Sequence, residues 1–449
     1  MSDTVMVGAA EAVITPPVGT ELAGYFRTRV SDGVHSELMA KAIVAGPRPE
    51  SGRPDTRVAI VSCDMIEMVA EVTCEVRRIV HEATGMDPAR IMVCATHAHT
   101  GPDLRGTRYA ARNDEYVEGL PARIARAVIE AAQSARPAHM WMGREDEYGL
   151  EFNLRFRLRD GSERFGPGQD PSQVVAIAGG TDPELGVVKF STEPNGDPFA
   201  LIVNYTNHID VIGGTRISSD FPGYMTEVIR GVYGPDTVVL FTQGACANID
   251  HVPRLPELPW PIKGEAKSRQ IGRAIGGKAI AIAEKALPGC DSSVDALQRI
   301  LQVPAYPRDD VLETALEQAR EAHASQAPAV HERLLELAEG FDHDAISPRE
   351  VQAIRLGDAV FCAVPGEYYM EWGLEIKRWS PHPYTFIVEV ANDHVGYIPT
   401  WEAFRRGGYN TTPIVSVTST PALGQMIADA HFALLQELWR RREAADTGG

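Results

Sequence analysis

The chain has 449 residues, and its 61 acidic against 43 basic side chains give a formal net charge of −18. This excess of negative charge disfavours nucleic acid and anionic membrane as partners, and no apolar run approaches the ~20 residues that cross a bilayer as a helix. Chains of this length can bury a substantial core, and large mixed α/β enzymes often fold as one catalytic unit. We therefore expect a single domain over residues 1–449.

The composition also predicts a compartment. The N-terminus MSDTVMVGAAEAVITPP has no basic segment followed by an apolar core, as a signal peptide would. The six cysteines are scattered, and four of them fall inside apolar patterns, so reduced core thiols are expected rather than disulfides. We predict a cytoplasmic protein with no integral membrane association, and a homo-oligomer is compatible with the sequence.

Apolar patterns along the chain alternate between the short period of strands and the 3.6-residue period of helices. In chain order they predict a strand at 57–64, a helix at 66–84, a strand at 90–96, a helix at 113–135, a strand at 201–205, helices at 221–233, 264–286 and 309–324, a strand at 359–364, a helix at 368–380, a strand at 384–390 and a helix at 421–444. This alternation predicts a layered α/β fold, a mixed β-sheet with flanking helices.

Two segments interrupt this alternation. Residues 144–183 are rich in Gly, Asp and Arg, and residues 251–264 are rich in Pro. Both are predicted to be irregular, and loops of this length in a compact protein are usually functional or disordered. The second is a candidate lid over a pocket, with a plain surface excursion as the alternative.

The most informative stretch is CATHAHTGPD, residues 94–103, where an apolar run ends in a His-x-His pair. Because successive side chains of an extended strand point to opposite faces, His97 and His99 are predicted to lie on one side, where they can converge on one ion or substrate. Gly101 and Pro102 then turn the chain, and active sites of α/β proteins collect where strands open into loops. Taken alone, the pair fits ordinary polar residues at a strand end equally well.

Further strand ends supply additional candidate ligands. Each of three other apolar runs leads into residues that can bind a metal or polarise a substrate: His208, Glu367, and the group His394, Tyr397 and Tyr409. Two neutral imidazoles plus one carboxylate form a common catalytic zinc set, with a position left open for water or substrate. The sequence therefore predicts a metal site, provided that these strand ends meet in space.

These segments, in this order, resemble the neutral ceramidase family, metal-dependent amidases that cleave N-acyl sphingosines. The similarity begins at VGAAEAVITPPVGTELAGY near the N-terminus and runs to about residue 412. The resemblance implies a neutral-ceramidase-like catalytic domain and one Zn²⁺ with two histidines, a glutamate and a tyrosine as ligands, namely His97, His208, Glu367 and Tyr397.

The resemblance also implies roles for residues beside the metal. His99 matches the family's companion histidine, and Tyr409, in GGYN, matches a second active-site tyrosine that helps to polarise the scissile carbonyl. Arg155, in FNLRFRLRDG, matches an active-site arginine. Carboxylates usually orient ligand imidazoles from outside, and the candidates for that role are Asp103, Asp210 and Asp393.

Two departures from the family limit what the resemblance implies. Where the ceramidases have a Gly-Asp-x-Ser-Pro-Asn turn with a serine proposed as nucleophile, this chain reads QGACANID, which puts Cys246 in the serine's place and Gly244 where the acid would be. A thiol nucleophile needs an activating base or a positive field, and none is visible nearby in the sequence, so a pocket-lining role is favoured. We also expect the additional C-terminal β-sandwich domain of true ceramidases to be absent.

The predicted reaction is hydrolysis of an amide by metal-activated water. Tyr409 and Arg155 are expected to stabilise the oxyanion, at ~3 kcal/mol per donor, and His99 to carry a proton to the leaving group. A small soluble substrate is favoured over ceramide, because no signal peptide or basic excess would bring the chain to a membrane. The segment around Trp260 is expected to enclose that substrate.

Three other functions compete with a soluble amidase. A metal-dependent esterase or lactonase would use the same ligands, because no residue in the pattern selects amide nitrogen. A true ceramidase is the second alternative. The third is a catalytically inactive metal-binding protein, which the presence of Tyr409 and Arg155 argues against, since a structural zinc site is normally closed by four protein ligands and needs no oxyanion groups.

Overall fold

The computed structural model describes residues 4–52, 54–166, 170–253, 263–321 and 328–447. The α-helices in these ranges are α1 Ala70–Thr84, α2 Asp114–Gln133, α3 Phe221–Tyr233, α4 Glu265–Lys285, α5 Asp310–Glu321, α6 Pro328–Ala338, α7 Met370–Trp379, α8 Trp401–Arg406 and α9 Leu423–Thr447. Short 3₁₀ helices lie at Pro88–Arg90, Pro171–Gln173 and Tyr409–Thr411.

The strands alternate with these helices along much of the chain. In chain order they are β1 Val5–Val13, β2 Gly33–Val34, β3 Met39–Gly46, β4 Val58–Cys63, β5 Ile91–Ala95, β6 Arg136–Asp146, β7 Phe152–Asn153, β8 Arg155–Leu158, β9 Glu163–Phe165, β10 Val174–Ile177, β11 Glu184–Ser191, β12 Ala200–Tyr205, β13 Arg216–Ile217, β14 Val238–Gln243, β15 Ile249–Asp250, β16 Leu287–Pro288, β17 Val294–Pro304, β18 Ile346–Leu356, β19 Ala359–Ala363, β20 Glu367–Tyr368, β21 Tyr384–Val388 and β22 Tyr397–Ile398.

The main sheet is mixed. Its strand order is β14-β12-β11-β6-β1-β3-β4-β5, with β16 paired to β6. The pairs β4–β5 and β12–β14, one at each end of the sheet, are parallel, and the pairs between them are antiparallel. A second, four-stranded sheet has the order β17-β18-β19-β21.

Apolar surface is buried between these layers, which is the main favourable term in folding. Helices α1 and α2 cover the outer face of the β1-β3-β4-β5 half, α3 and α4 cover the β11-β12-β14 half, and α7 and α9 cover the four-stranded sheet. The inner faces of both sheets meet in a central cluster that includes Ile60, Ile202, Leu240, Phe361 and Phe386. This packing places the ends of β5, β12, β14 and β21 near one another.

Residues 389–392, the closing segment, tie the two edges of the main sheet together. The N–H of Glu389 donates to the last residue of β14 at 3.0 Å, while the N–H of Ala95 donates to the carbonyl of Val390 at 3.2 Å and the N–H of Asn392 donates to β5 at 2.7 Å. Val390 has φ 46°, an unfavourable conformation for a β-branched residue. The loops that follow β5, β12 and β14 therefore converge.

The layered mixed α/β fold predicted from the sequence is confirmed, with differences at element boundaries. The helix expected from residue 66 begins at Ala70. The segment 144–183 was wrongly predicted to be irregular, since it contains β7 to β10; these strands are too short for their alternation to stand out against the Gly and Asp turns between them. Most of the predicted lid, including Trp260, lies outside the described residues. Within the described ranges, no helix is both long and apolar enough to cross a membrane.

Candidate metal centre

Three histidine side chains face one another where the strands converge. His97 and His99 follow β5, and His208 follows β12. Nε2 of His99 lies 3.3 Å from Nε2 of His97 and 3.1 Å from Nε2 of His208, and all three residues are buried. Burial first, and the neighbouring His97 second, lower the pKa of His208 to about 4. Residues from two distant strands thus present ring nitrogens to one point.

The His-x-His pair does not converge by strand alternation, as the sequence pattern predicted. Strand β5 ends at Ala95, and His97 lies in the loop beyond it with φ 74°. This left-handed conformation is uncommon for a residue other than glycine. Such strained backbone clusters at functional sites, where the surrounding structure enforces it.

Backbone carbonyls orient two of the three rings. Nδ1 of His97 is 2.7 Å from the carbonyl oxygen of Ile66, and Nδ1 of His99 is 3.2 Å from that of Gly24. Because carbonyl oxygens only accept, Nδ1 carries the proton in each neutral ring and Nε2 carries a lone pair. Gly24 permits this approach, since a Cβ there would lie 2.6 Å from Nδ1 of His99. The Nε2 atoms of two rings then face each other at 3.3 Å. Burial lowers the pKa of His97, but the Glu367 carboxylate outweighs it and raises that pKa to about 9, so this position favours a cation, either a proton or a metal ion.

Glu367 and Tyr397 lie beside this cluster as direct register partners in the parallel pair β20–β22. Oε2 of Glu367 is 3.6 Å from Nε2 of His97 and is a buried atom without a hydrogen-bond partner among the described residues. Burial raises the pKa of Glu367, but His97 and His394 outweigh it and hold that pKa well below its usual range. Burial and the Glu367 carboxylate raise the pKa of Tyr397.

A chain of charged groups holds the other oxygen of Glu367. Its Oε1 lies 3.5 Å from Nε2 of His394, whose Nδ1 lies 3.1 Å from Oε2 of Glu67. Glu67 in turn pairs with Arg105 at 2.6 Å. His394 was a candidate ligand from the sequence and instead bridges two carboxylates, whereas Glu67 was not identified; the available signal for it was a lone acid in the largely apolar stretch MIEMVA.

The donor set fits a zinc ion. Tetrahedral zinc holds nitrogen ligands at about 2.0–2.1 Å, and the ligand atoms of His97, His99 and His208 all lie within 4.8 Å of one another. His97, His99 and His208 form a group that could hold a metal ion. The buried, unpartnered Oε2 of Glu367 adds the carboxylate expected of such a site. Imidazole and carboxylate donors together favour zinc over magnesium or calcium.

His97 and His99 line a cavity of about 450 Å³, and His208 contacts His99 without lining it. Its polar lining includes His97, His99, Glu367, Tyr397 and Tyr409, and its apolar and aromatic lining includes Phe26, Tyr109, Leu337 and Phe341. The rings of Phe26 and Phe165 pack edge-on against Tyr409 with centroids 5.5 and 5.7 Å away. Burial, followed by the Glu367 carboxylate, raises the pKa of Tyr409 beyond its usual range. Its phenol therefore stays protonated and remains a hydrogen-bond donor.

Arg155 does not line this cavity. It is buried beside the loop that carries Tyr409, where its guanidinium donates to Asn410 Oδ1 at 3.1 Å and to the carbonyl of Gly407 at 2.8 Å. It also forms a buried ion pair with Glu163 at 2.9 Å. The structure thus brings Arg155 to the support of Tyr409 rather than to the floor of the cavity.

Replacing Arg155 by Met should destabilise the protein by about 3–5 kcal/mol, because the change leaves the Glu163 carboxylate buried without its main partner. Urea denaturation measures the loss. Arg157→Met is the matched control, since that guanidinium also pairs with Glu163 but is 40% exposed, and its loss should cost under about 1 kcal/mol. Equal losses of stability in the two variants would contradict the assignment of Arg155 as the main buried partner of Glu163.

Cys246 follows β14 and lies behind His208, not on the cavity surface. Its Sγ is 3.6 Å from Nδ1 of His208, 2.7 Å from Nε2 of Gln243 and 2.9 Å from Oε1 of Glu389. Burial, followed by the Glu389 carboxylate, raises the pKa of the Cys246 thiol well above its usual range. Burial likewise raises the pKa of Glu389 to about 7. No role was assigned to Glu389 from the sequence, although it stands alone as an acid in the apolar run FIVEVA.

All six cysteines are free thiols, and two of them, Cys74 and Cys290, are exposed. We expect a thiol-specific reagent such as Ellman's to modify these two residues in the native protein and all six after denaturation. Activity should survive the native reaction. Labelling of Cys246 in the folded protein, detected by peptide mass spectrometry, would contradict its placement behind His208.

The carboxylates predicted to orient the histidines have other partners. Asp103 accepts backbone N–H groups of its own turn, Asp210 accepts from Tyr25 and Lys263, and Asp393 pairs with Arg349. Backbone carbonyls behind His97 and His99, and Cys246 behind His208, occupy the orienting positions instead.

Comparison with known proteins identifies the fold. No protein-family model matches this chain, and no curated protein matches its sequence. The crystal structure of the neutral ceramidase from Pseudomonas aeruginosa matches with a TM-score of 0.74 at 19% identity, over 97% of this chain and 75% of that one. A ceramidase complexed with C2 matches with a TM-score of 0.73 at 16% identity, over 98% and 76%. The chain therefore has the neutral ceramidase fold.

Proposed function

We propose that this protein is a zinc-dependent hydrolase that cleaves the amide bond of small, soluble N-acyl substrates, and that it belongs with the neutral ceramidases as a single catalytic domain. One observation carries the proposal: three imidazoles face one another, and two of them line a cavity together with a carboxylate and two tyrosines. The ceramidase fold and the order of the matching motifs support an amide as the bond cleaved.

The residues divide into ligands and groups that act on the substrate. His97, His208, Glu367 and Tyr397 would hold the metal, and the chain from Arg105 to His394 keeps Glu367 in place. Zn²⁺ bound there would supply a Lewis acid for the acyl carbonyl and lower the pKa of water toward ~7.

Two further side chains are placed to act on the reacting amide. The protonated phenol of Tyr409 faces the cavity next to Tyr397, with ring centroids 5.7 Å apart, and donates to the carbonyl oxygen as negative charge develops there. His99 lies beside both ligand histidines, and its Nε2 would take a proton from the attacking water and pass it to the leaving nitrogen. Arg155 acts through the loop of Tyr409.

The walls support a substrate of limited size. Helix α6 and the residues after it place Leu337 and Phe341 against the cavity, and Phe26 and Tyr109 face it from the N-terminal half of the chain. A volume of about 450 Å³ falls in the lower part of the ~300–1,000 Å³ range of small-molecule pockets. The free cysteines support the further proposal of a cytoplasmic location, where thiols stay reduced.

Metal analysis and turnover test the function together. The purified protein should contain about one zinc per chain, lose activity on short N-acyl amides when a chelator removes the metal, and regain it on adding zinc. A panel of matched esters serves as the comparison. Full turnover by a metal-free protein would contradict the proposal, and turnover of esters with none of the amides would establish an esterase instead.

A further inference from the structure

Cys246 and Glu389 form a fully buried polar pair on the side of His208 that faces away from the cavity. Both residues have 0% exposure, and neither belongs to the cavity surface. Oε1 of Glu389 lies 2.9 Å from Sγ of Cys246, and its Oε2 accepts the backbone N–H groups of Cys246 and Tyr368 at 2.9 and 3.0 Å. The carboxylate is therefore held rigidly against the sulfur.

The sulfur atom is the point where this pair meets the metal centre. Sγ lies 2.7 Å from the side-chain amide nitrogen of Gln243, which donates to it, and 3.6 Å from Nδ1 of His208. With both of these nitrogens donating to sulfur, the thiol hydrogen is directed to Glu389. The Nε2 of His208 is then left with its lone pair directed at His99.

The local backbone explains why the carboxylate comes from a distant strand. Gly244 stands two residues before Cys246, and a Cβ at that position would lie 2.2 Å from Oγ1 of Thr206. No acidic side chain fits there. The closing segment delivers Glu389 instead, through the bond from its N–H to the end of β14.

We propose that Cys246 and Glu389 are positioning residues for the metal centre: Glu389 holds the thiol of Cys246, and the sulfur holds the Nδ1–H of His208, which aims its Nε2 at the metal. This proposal rests on the proposed function, because His208 is a ligand in it. Metal-ligating histidines usually pass their second N–H to a carboxylate or carbonyl, and here a thiol stands between ring and carboxylate. Cys246 thus has a role that requires no covalent chemistry.

Zinc affinity tests the proposal without relying on turnover. In competition with a chromophoric chelator, Cys246→Ala should bind zinc about 10–100-fold more weakly than the unmodified protein, as expected for loss of such a partner. Cys246→Ser, which keeps a donor and acceptor at that point, should recover most of the affinity. Glu389→Gln should weaken zinc binding in the same direction. Cys362→Ala is the control, because Cys362 is an equally buried thiol in the cluster between the four-stranded sheet and α9.

Two further readouts separate positioning from nucleophilic attack. The visible absorption of the cobalt-substituted protein should change in Cys246→Ala and not in Cys362→Ala. The kcat of Cys246→Ala should also fall when it is measured at saturating zinc, because the orientation of His208 is then lost although the metal is bound. Unchanged zinc affinity and an unchanged cobalt spectrum in both Cys246→Ala and Cys246→Ser would overturn the proposal, as would a trapped acyl-thioester. An unmodified protein that binds no zinc would instead overturn the proposed function itself.

Discussion

Replacing His208 or Glu367 by Ala should remove both the bound zinc and the hydrolytic activity. Each substitution deletes one of the four proposed ligands, and the side chains that remain are too few to hold the metal tightly. We expect kcat/KM to fall by at least about 10³-fold, because water activation and carbonyl polarisation are lost together. Elemental analysis and steady-state kinetics on one short amide measure the two losses.

The control for this experiment is a histidine that is buried but remote from the cavity. His431, in α9, bonds to the carbonyl of Ala363 at 3.1 Å and has 0% exposure. His431→Ala should lower stability while leaving the zinc content unchanged. If the His208→Ala protein keeps its full zinc content, the ligand assignment is wrong.

Long-chain N-acyl sphingosine should be a poor substrate compared with short, soluble N-acyl amides. The cavity has a volume of about 450 Å³ and Leu337 and Phe341 among its lining residues, and two long hydrocarbon chains exceed that space. We expect kcat/KM to favour the short amides by at least about 100-fold, or roughly 2.7 kcal/mol of transition-state binding. Initial rates in the same detergent for both substrates provide the comparison.

A pair of leucines in α6 tests whether this wall sets the limit. Leu337 lines the cavity, whereas Leu335 belongs to the neighbouring apolar cluster without facing the cavity. Leu337→Ala makes room for about two methylenes, worth ~0.8 kcal/mol each, and should improve the relative kcat/KM for longer acyl chains by about 10-fold. Leu335→Ala should not. Efficient turnover of the lipid by the unmodified protein, with none of the soluble amides cleaved, would contradict this prediction and show that the protein is a true ceramidase.

Parts of the site could be predicted from the sequence because they depend on local pattern. His97, His208 and Glu367 each follow a short apolar run, and such runs are recognisable from a few residues. The structure brings these side chains together with Tyr397 and Tyr409. The fold class was likewise accessible, since alternating helical and strand patterns favour a layered α/β arrangement.

Other parts depend on contacts that no local pattern encodes. Cys246 sits behind His208, and Glu389 reaches it from the end of another sheet. The pair His97 and His99 does converge, but not because side chains alternate along a strand, as the sequence pattern predicted. The left-handed conformation of His97 is imposed by its surroundings instead. Arg155 matched a motif, but which way its side chain turns depends on Glu163 and the Tyr409 loop.

The closing segment also has a consequence for how the protein is made. During synthesis, the residues of β5 and β14 emerge long before residues 389–392, so neither edge of the main sheet can pair with the closing segment until the last quarter of the chain is available. Open strand edges are templates for pairing with other chains, and non-local contacts form late in folding. We expect truncated or stalled chains that lack this segment to aggregate although they already contain all three histidines, and the yield of native protein to depend on chaperones that shield those edges.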